Sequence, residues 1–343
     1  MEIFLKIIKK YILHRGTIFL RYALGMGIIF WLIRTNQIKF DSIFMLDSKT
    51  VIIALVLSFL QLVLSAYRVK LLMKAHQISI SFFRCIIYNV VGIFYSSILP
   101  GGMSGDVVRA YYFWQYAHTQ NCTKSDLISA LVIDRLFATV AMLFVGLVAA
   151  TGSAKAIDAS SEFLIFLWSV FFIGVSGYVF VCKTHKFKLT ISKLLCLKSF
   201  ADRLQRVLAK LDLKNYPKRT LWLVGLFSII IHIASALVIF MIALRLGSGL
   251  NFGQVMTVAP IGLLVNALPI SPGGMGVGEK GFGILFNLVG GQYGGNVFMI
   301  SRVFLFSPAI VGAFFACVLV IKGRSRSVNE LQIMTFAHKE NHA

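Results

Sequence analysis

Long apolar stretches alternate with short basic ones along this chain. A helix needs about 20 apolar residues to cross a hydrocarbon core of roughly 30 Å. Six stretches approach that length: 17–33, 50–67, 127–150, 162–182, 221–244 and 297–321. The first follows Lys6, Lys9, Lys10 and Arg15, as a signal peptide would. Arg21 interrupts it, Trp31-Leu32-Ile33-Arg34 ends it, and no small-x-small cleavage site follows, so it reads as a retained anchor. Arg21 reads as a helix-end charge that reaches for the interface.

Two further apolar stretches carry a break at their centre. Residues 85–116 are interrupted by Leu99-Pro100-Gly101-Gly102, and 255–290 by Pro269-Ile270-Ser271-Pro272-Gly273-Gly274. Proline removes a donor and glycine frees the backbone, so each break predicts an unwound turn between two half-helices. Backbone of that kind survives at membrane depth only inside protein or beside a cavity. Both stretches therefore read as re-entrant hairpins, although two short crossings would have the same parity.

Composition strengthens the membrane reading. The chain has 343 residues, 58% hydrophobic and only 14% charged, against about 25% charged in soluble domains. Mean hydropathy is +0.82. Lys and Arg number 34 against 13 Asp and Glu, a net charge of +21. A soluble enzyme, a disordered chain and a secreted disulfide scaffold are excluded. A nucleic-acid binder would not need 30 Phe.

The basic residues supply an orientation. With two hairpins and the N-terminus inside, 24 of the 34 fall in cytoplasmic segments 1–16, 68–84, 117–126, 183–220 and 322–343. Five fall in the external loops and five are embedded. That distribution obeys the positive-inside rule. Both termini are then cytoplasmic, in a bacterial cytoplasmic membrane. The five Cys show no metal or disulfide spacing, and His232, the one His in an apolar segment, reads as a packing residue rather than a ligand. No cofactor, metal or nucleic-acid partner is expected.

Pro100-Gly101-Gly102-Met103 recurs as Pro272-Gly273-Gly274-Met275, 172 residues later. The same offset carries span 50–67 into 221–244 and 127–150 onto the last span. Each half has three crossings, so the halves face opposite ways, as in secondary transporters built from inverted repeats. The expected fold is a single all-α polytopic membrane domain, 1–343. It holds a first repeat, 1–150, an inverted second repeat, 151–322, six full spans, two re-entrant hairpins and a cytoplasmic tail, 323–343. The second repeat contains an insert, 183–220. Phe200, Leu204, Val207, Leu208 and Leu211 fall on one helical face there, among Lys and Arg, so it predicts a basic amphipathic helix on anionic inner-leaflet lipid.

Ionisable residues at membrane depth cost at least about 2.5–3.5 kcal/mol each. The candidate site collects them: Asp106 and Arg109 after the first break, Asp134 and Arg135 in the next helix, Glu279 after the second break, and Arg302. One reading is that each acid only neutralises a base. The sharper expectation is a polar cleft in which Gly101, Gly102, Gly273 and Gly274 supply hinges and backbone donors. The half-helix N-termini would face an anionic head group there, and Arg109 and Arg302 would add planar donors. The acids could carry protons, but no sequence feature demonstrates coupling. Gly276-Val277-Gly278-Glu279-Lys280-Gly281 matches a dinucleotide fingerprint by letter but follows no strand.

The motifs resemble a known family. Leu99-Pro100-Gly101-Gly102-Met103-Ser104-Gly105-Asp106-Val107-Val108-Arg109 is similar to the LPGGxxGDxxR signature of the flippase-like transmembrane domain of lysylphosphatidylglycerol synthases. Asp134-Arg135 is similar to its DR pair, and Ser271-Pro272-Gly273-Gly274-Met275-Gly276-Val277-Gly278-Glu279 to its SPGGxGxxE. The resemblance implies a lipid translocase that moves a polar head group, of an anionic phospholipid, an aminoacyl-lipid or a polyprenyl-linked glycolipid. About twenty residues follow the last span, too few for the soluble synthase domain of full-length members, so lysyl transfer is not expected. Two other readings stay open. One is a membrane-embedded transferase on a lipid-linked sugar, with Asp106 or Glu279 as base. The other is a non-transporting partner of a cytoplasmic lipid- or glycan-modifying enzyme.

Overall fold

The computed structural model describes residues 15–35, 40–99, 104–117, 122–154, 213–268, 270–271 and 273–319, with Leu211 and a few positions between 165 and 176. The 162–182 span lies largely outside the described residues. The 183–210 part of the insert, the Pro100–Met103 break and the 323–343 tail lie wholly outside them. Every regular element among the described residues is helical. In the first half these are α1 (Arg15–Arg34), α2 (Ser48–Ala75), α3 (Phe82–Ile98), α4 (Ser104–Ala117) and α5 (Lys124–Gly152). In the second half they are α6 (Lys218–Arg245), α7 (Phe252–Asn266), α8 (Val277–Leu288), α9 (Gly294–Leu305) and α10 (Pro308–Leu319).

α2, α5 and α6 are each long and apolar enough to cross a membrane, and α9 with α10 makes a fourth crossing if taken together. That last span, expected as one helix over 297–321, bends by 42° at its centre. The cause is local. The Phe306 N–H still reaches the Arg302 carbonyl, but the Ser307 N–H turns to Phe304, and Pro308 has no N–H to continue the ladder. α2 shows how the spans are oriented. Ile52, Val56, Leu60 and Val63 point outward, while Thr50, Ala54, Ser58 and Ala66 are buried. The apolar stripe suits lipid, and the small and polar stripe lets other helices approach.

The two halves repeat each other closely. α2 and α6 are both 28 residues long, offset by 170 from Ser48 to Lys218. Their exits match bond for bond. Ile78 N–H bonds to Met73 and Gln77 N–H to Lys74, just as Ser248 N–H bonds to Ala243 and Gly247 N–H to Leu244. Gln77 (φ 61°) and Gly247 (φ 65°) occupy the left-handed position of this Schellman turn. The next helices start on equivalent caps, Ser81 and Asn251. The offset is 172 at the Pro-Gly-Gly-Met motifs and returns to 170 at α5 and α9, which start at Lys124 and Gly294.

α2 and α6 run antiparallel. Asp47, at the start of α2, pairs with Arg245 Nε at the end of α6 (3.0 Å). At the opposite end, His76 Nε2 lies 2.6 Å from the Tyr216 hydroxyl. The hairpins pack crosswise on the long helices. Gly146 of α5 lets Pro260 of α7 approach, and a Cβ there would sit 3.1 Å from the ring. Gly312 of α10 lies against Val90 of α3, the residue 170 positions before Pro260.

Candidate functional site

Asp134 is the centre of the first polar cluster. It lies on α5 with its side chain 1% exposed, and two guanidinium groups hold its two oxygens. Arg68 of α2 gives Nε to Oδ1 at 2.7 Å, and Arg109 of α4 gives Nη2 to Oδ2 at 3.3 Å. Arg68 also donates to Ser228 Oγ of α6 (2.8 Å), and Arg109 to Asn89 Oδ1 of α3 (3.1 Å). Asp106, one turn before Arg109, lies 3.4 Å from it and is paired with Arg135. Three arginines and two aspartates therefore leave the cluster one positive charge in excess. It grades from the buried Arg68–Asp134 pair to Arg135, whose side chain is 49% exposed. Arg109 Nε is buried with no hydrogen-bond partner.

The second cluster is built differently. Arg302 of α9 gives Nε to Glu279 Oε1 at 2.9 Å and Nη2 to Asn266 Oδ1 at 2.9 Å. Its Nη1 bonds to the Gly273 carbonyl, and Nη2 also reaches the Gly274 carbonyl at 3.2 Å. Glu279 turns its other oxygen to the Gly276 N–H, at 2.7 Å. One guanidinium thus ties α7, α8 and α9 to the unwound Gly273–Gly276 turn. Gly273, Gly274 and Gly276 all have positive φ there, a region that a side chain disfavours.

The second break meets the end of α3. A Cβ on Gly273 would lie 3.6 Å from the Ser96 carbonyl and from Ser97, at the end of α3. Gly105 of α4 packs so tightly on Gly92 of α3 that a Cβ would overlap its carbonyl and the Ser96 hydroxyl. That close approach brings Arg109 and Asn89 together across the hairpin.

The structure joins four of the predicted site residues, Asp106, Arg109, Asp134 and Arg135, in one network. It places Glu279, Arg302, Gly273 and Gly274 in another. Gly101 and Gly102 lie outside the described residues. Each guanidinium nitrogen of Arg302 is turned to a protein acceptor, and the Gly276 N–H is turned to Glu279. The sequence reading ended this span at residue 67 and placed Arg68 in the segment that follows it. α2 continues two turns past residue 67, so Arg68 is inside the bundle at 4% exposure. Asn89, Ser228 and Asn266 were also missed. Their signal was a polar side chain inside an otherwise apolar stretch.

The family described as the lysylphosphatidylglycerol synthase TM region matches residues 18–322, which include every residue of both clusters. The chain belongs to that family. A relative from Pyrococcus horikoshii, the UPF0104 membrane protein PH1989, is 24% identical over 344 residues, 94% of this chain and 99% of its own length. Members of the lysylphosphatidylglycerol synthase TM region family are membrane proteins by description, and this chain, with its apolar helices, is an integral membrane protein.

Proposed function

We propose that this protein translocates a lipid by passing its polar, phosphate-bearing head through the Asp106–Arg109–Asp134–Arg135 cluster while the acyl tails stay in the bilayer. The observation that carries the proposal is the excess positive charge of a cluster that grades from a buried interior to an exposed rim. Buried ions are stable only when paired and hydrogen-bonded. A cluster with one cation in surplus, and one buried N–H on Arg109 without a partner, is complementary to a single anionic oxygen group. The antiparallel α2 and α6, their matching exits and the crosswise packing of the hairpins support an architecture of inverted repeats. In it the two hairpins are re-entrant and meet near mid-membrane. The basic insert and both termini then face the cytoplasm.

The transferase reading is less well supported. Asp106 is engaged by two arginines, and Glu279 by Arg302 and a backbone N–H, so neither carboxylate is left free to face a substrate. The test is movement of a fluorescent phosphatidylglycerol between leaflets of vesicles holding the purified protein, read by quenching from outside. Movement in the wild type, slowed at least tenfold by Asp106→Asn, is the expected result. Vesicles that behave like protein-free ones overturn the proposal.

A further inference from the structure

The first cluster is a chain of alternating charges: Arg135, Asp106, Arg109, Asp134, Arg68. Arg135 ends it at the rim, with a side chain 49% exposed. Arg68 ends it inside, at 4% exposure. Among the described residues no third acid joins the chain. Its inner end therefore decides its sum. With Arg68 the chain holds three bases and two acids, and without Arg68 it is two neutral pairs.

The distances show where the surplus is felt. Arg68 Nε is 2.7 Å from Asp134, closer than the 3.3 Å of Arg109 Nη2. Asp134 is thus held most closely from behind, and attraction falls with distance. Toward the rim, Arg109 and Arg135 share the one carboxylate of Asp106. The second neighbour of Arg68 is neutral. Ser228 gives its hydroxyl hydrogen to the Val224 carbonyl at 2.7 Å, so it accepts from Arg68 Nη1 at 2.8 Å and adds no charge. The uncompensated charge falls at Arg109 and Arg135, on the side that a head group reaches.

The other half makes the same helix contacts without such a pair. The offset of 170 puts Val238 in the place of Arg68 and Phe304 in that of Asp134, and both are buried. Packing alone serves there, and apolar residues often replace a buried ion pair with no loss of stability.

We infer that Arg68 sets the charge selectivity of the site, so that it takes a monoanionic head group in preference to a zwitterionic one. The inference rests on the reading of this cluster as the head-group site. Arg68 touches no lipid. It is a positioning residue that acts through Asp134, by leaving Arg109 and Arg135 with positive charge to share. A monoanionic phosphodiester fills that deficit, whereas a zwitterionic head brings its own cation to a rim already in surplus.

The test uses the full chain in phosphatidylcholine nanodiscs. Phosphatidylglycerol or phosphatidylcholine is added with a photoreactive group on one acyl chain, close to an unaltered head. Cross-links on α4 and beside Asp134 are counted by peptide mass spectrometry, and the ratio of the two lipids is the readout. All other basic residues stay the same, so their attraction for phosphatidylglycerol cancels between variants. Arg68→Gln removes the inner charge. Ser228→Asp leaves Arg68 in place and neutralises it through Nη1. Both are expected to lower the ratio by about tenfold or more, while Arg68→Lys, which keeps the charge, stays within about threefold of wild type.

An Arg68 that only braces the helices is held more firmly by Ser228→Asp, so an unchanged ratio in that variant overturns the inference even where Arg68→Gln does not fold. A ratio lost equally in Arg68→Lys overturns the charge count. Wild-type protein that cross-links neither lipid at these helices overturns the head-group site and the inference with it. Fluorescent-lipid movement by the same preparations separates the two readings. A wild type that moves no lipid, with a ratio that still depends on Arg68, overturns translocation and supports the inference.

Discussion

Arg302 turns every nitrogen of its guanidinium to a protein acceptor, whereas Arg109 keeps one buried N–H without any. Both are embedded arginines beside a broken hairpin, and both pair with a carboxylate on a neighbouring helix. The surroundings differ. Arg302 faces one acid, one amide and two backbone carbonyls of an unwound turn, so its charge is absorbed by the fold. Arg109 shares two aspartates with two other arginines, so the cluster has charge left over. The same residue type is thus fully engaged by the fold in one half and, under the proposed translocation, left to receive a head group in the other. A pseudo-symmetric scaffold can assign different work to its halves in this way.

The contrast between the two clusters is most vulnerable at Asp134. Replacing it with Ala leaves Arg68 and Arg109 facing each other without their acid, a loss of about 3–5 kcal/mol for a broken buried pair. Thermal unfolding in detergent should show a larger fall for Asp134→Ala than for any change in the second cluster. Arg302→Ala comes next, at about 3 kcal/mol, because Glu279 is stranded and the Gly273–Gly276 turn loses its clamp. A double-mutant cycle with Glu279→Gln should recover part of that loss and report the coupling. Full additivity would show that the latch is not a unit.

Two glycines probe the latch at a smaller scale. Gly274 and Gly247 both have positive φ, but a Cβ on Gly274 overlaps Asn266, while one on Gly247 meets open space. Gly247→Ala should cost about 1 kcal/mol from the backbone alone. Gly274→Ala should cost clearly more and disturb the Arg302 contacts. Equal losses would mean that the turn yields freely. The smallest effect is at the exposed Asp47, whose carboxyl is held below the usual carboxylate range by the Thr50 hydrogen bond and then by the Arg245 charge. A carboxylate pKa lowered by folding stabilises above the unfolded value and ceases to do so as pH falls through the folded one. The small difference in melting temperature between wild type and Asp47→Asn should therefore be present at neutral pH and vanish in acid.

Much of this architecture was legible in the chain. Hydropathy located α2, α5 and α6, and Pro and Gly marked the break between α7 and α8. The paired motifs pointed to a repeat whose true offset, 170, shows in α2 and α6. The bend before Pro308 was missed because apolar residues run straight through it. Arg68 was misplaced because it follows the apolar stretch immediately, and sequence cannot say whether a helix continues into protein or into water. The division of labour between Arg109 and Arg302 was not legible at all. It depends on which carbonyls and acids converge on each guanidinium, and those come from neighbouring helices rather than from adjacent residues.

Whether Arg109 belongs to the working site and Arg302 to the latch is decided most directly by one measurement. It is the rate of fluorescent phosphatidylglycerol movement, per folded molecule, in vesicles carrying Arg109→Lys or Arg302→Lys. Lysine keeps the charge but loses the planar fork. Arg109→Lys is expected to fold normally and to move lipid at least tenfold more slowly. Arg302→Lys should lower the melting temperature while its folded fraction works within about threefold of wild type. Wild-type movement by Arg109→Lys, or inactivity of well-folded Arg302→Lys, would contradict this division.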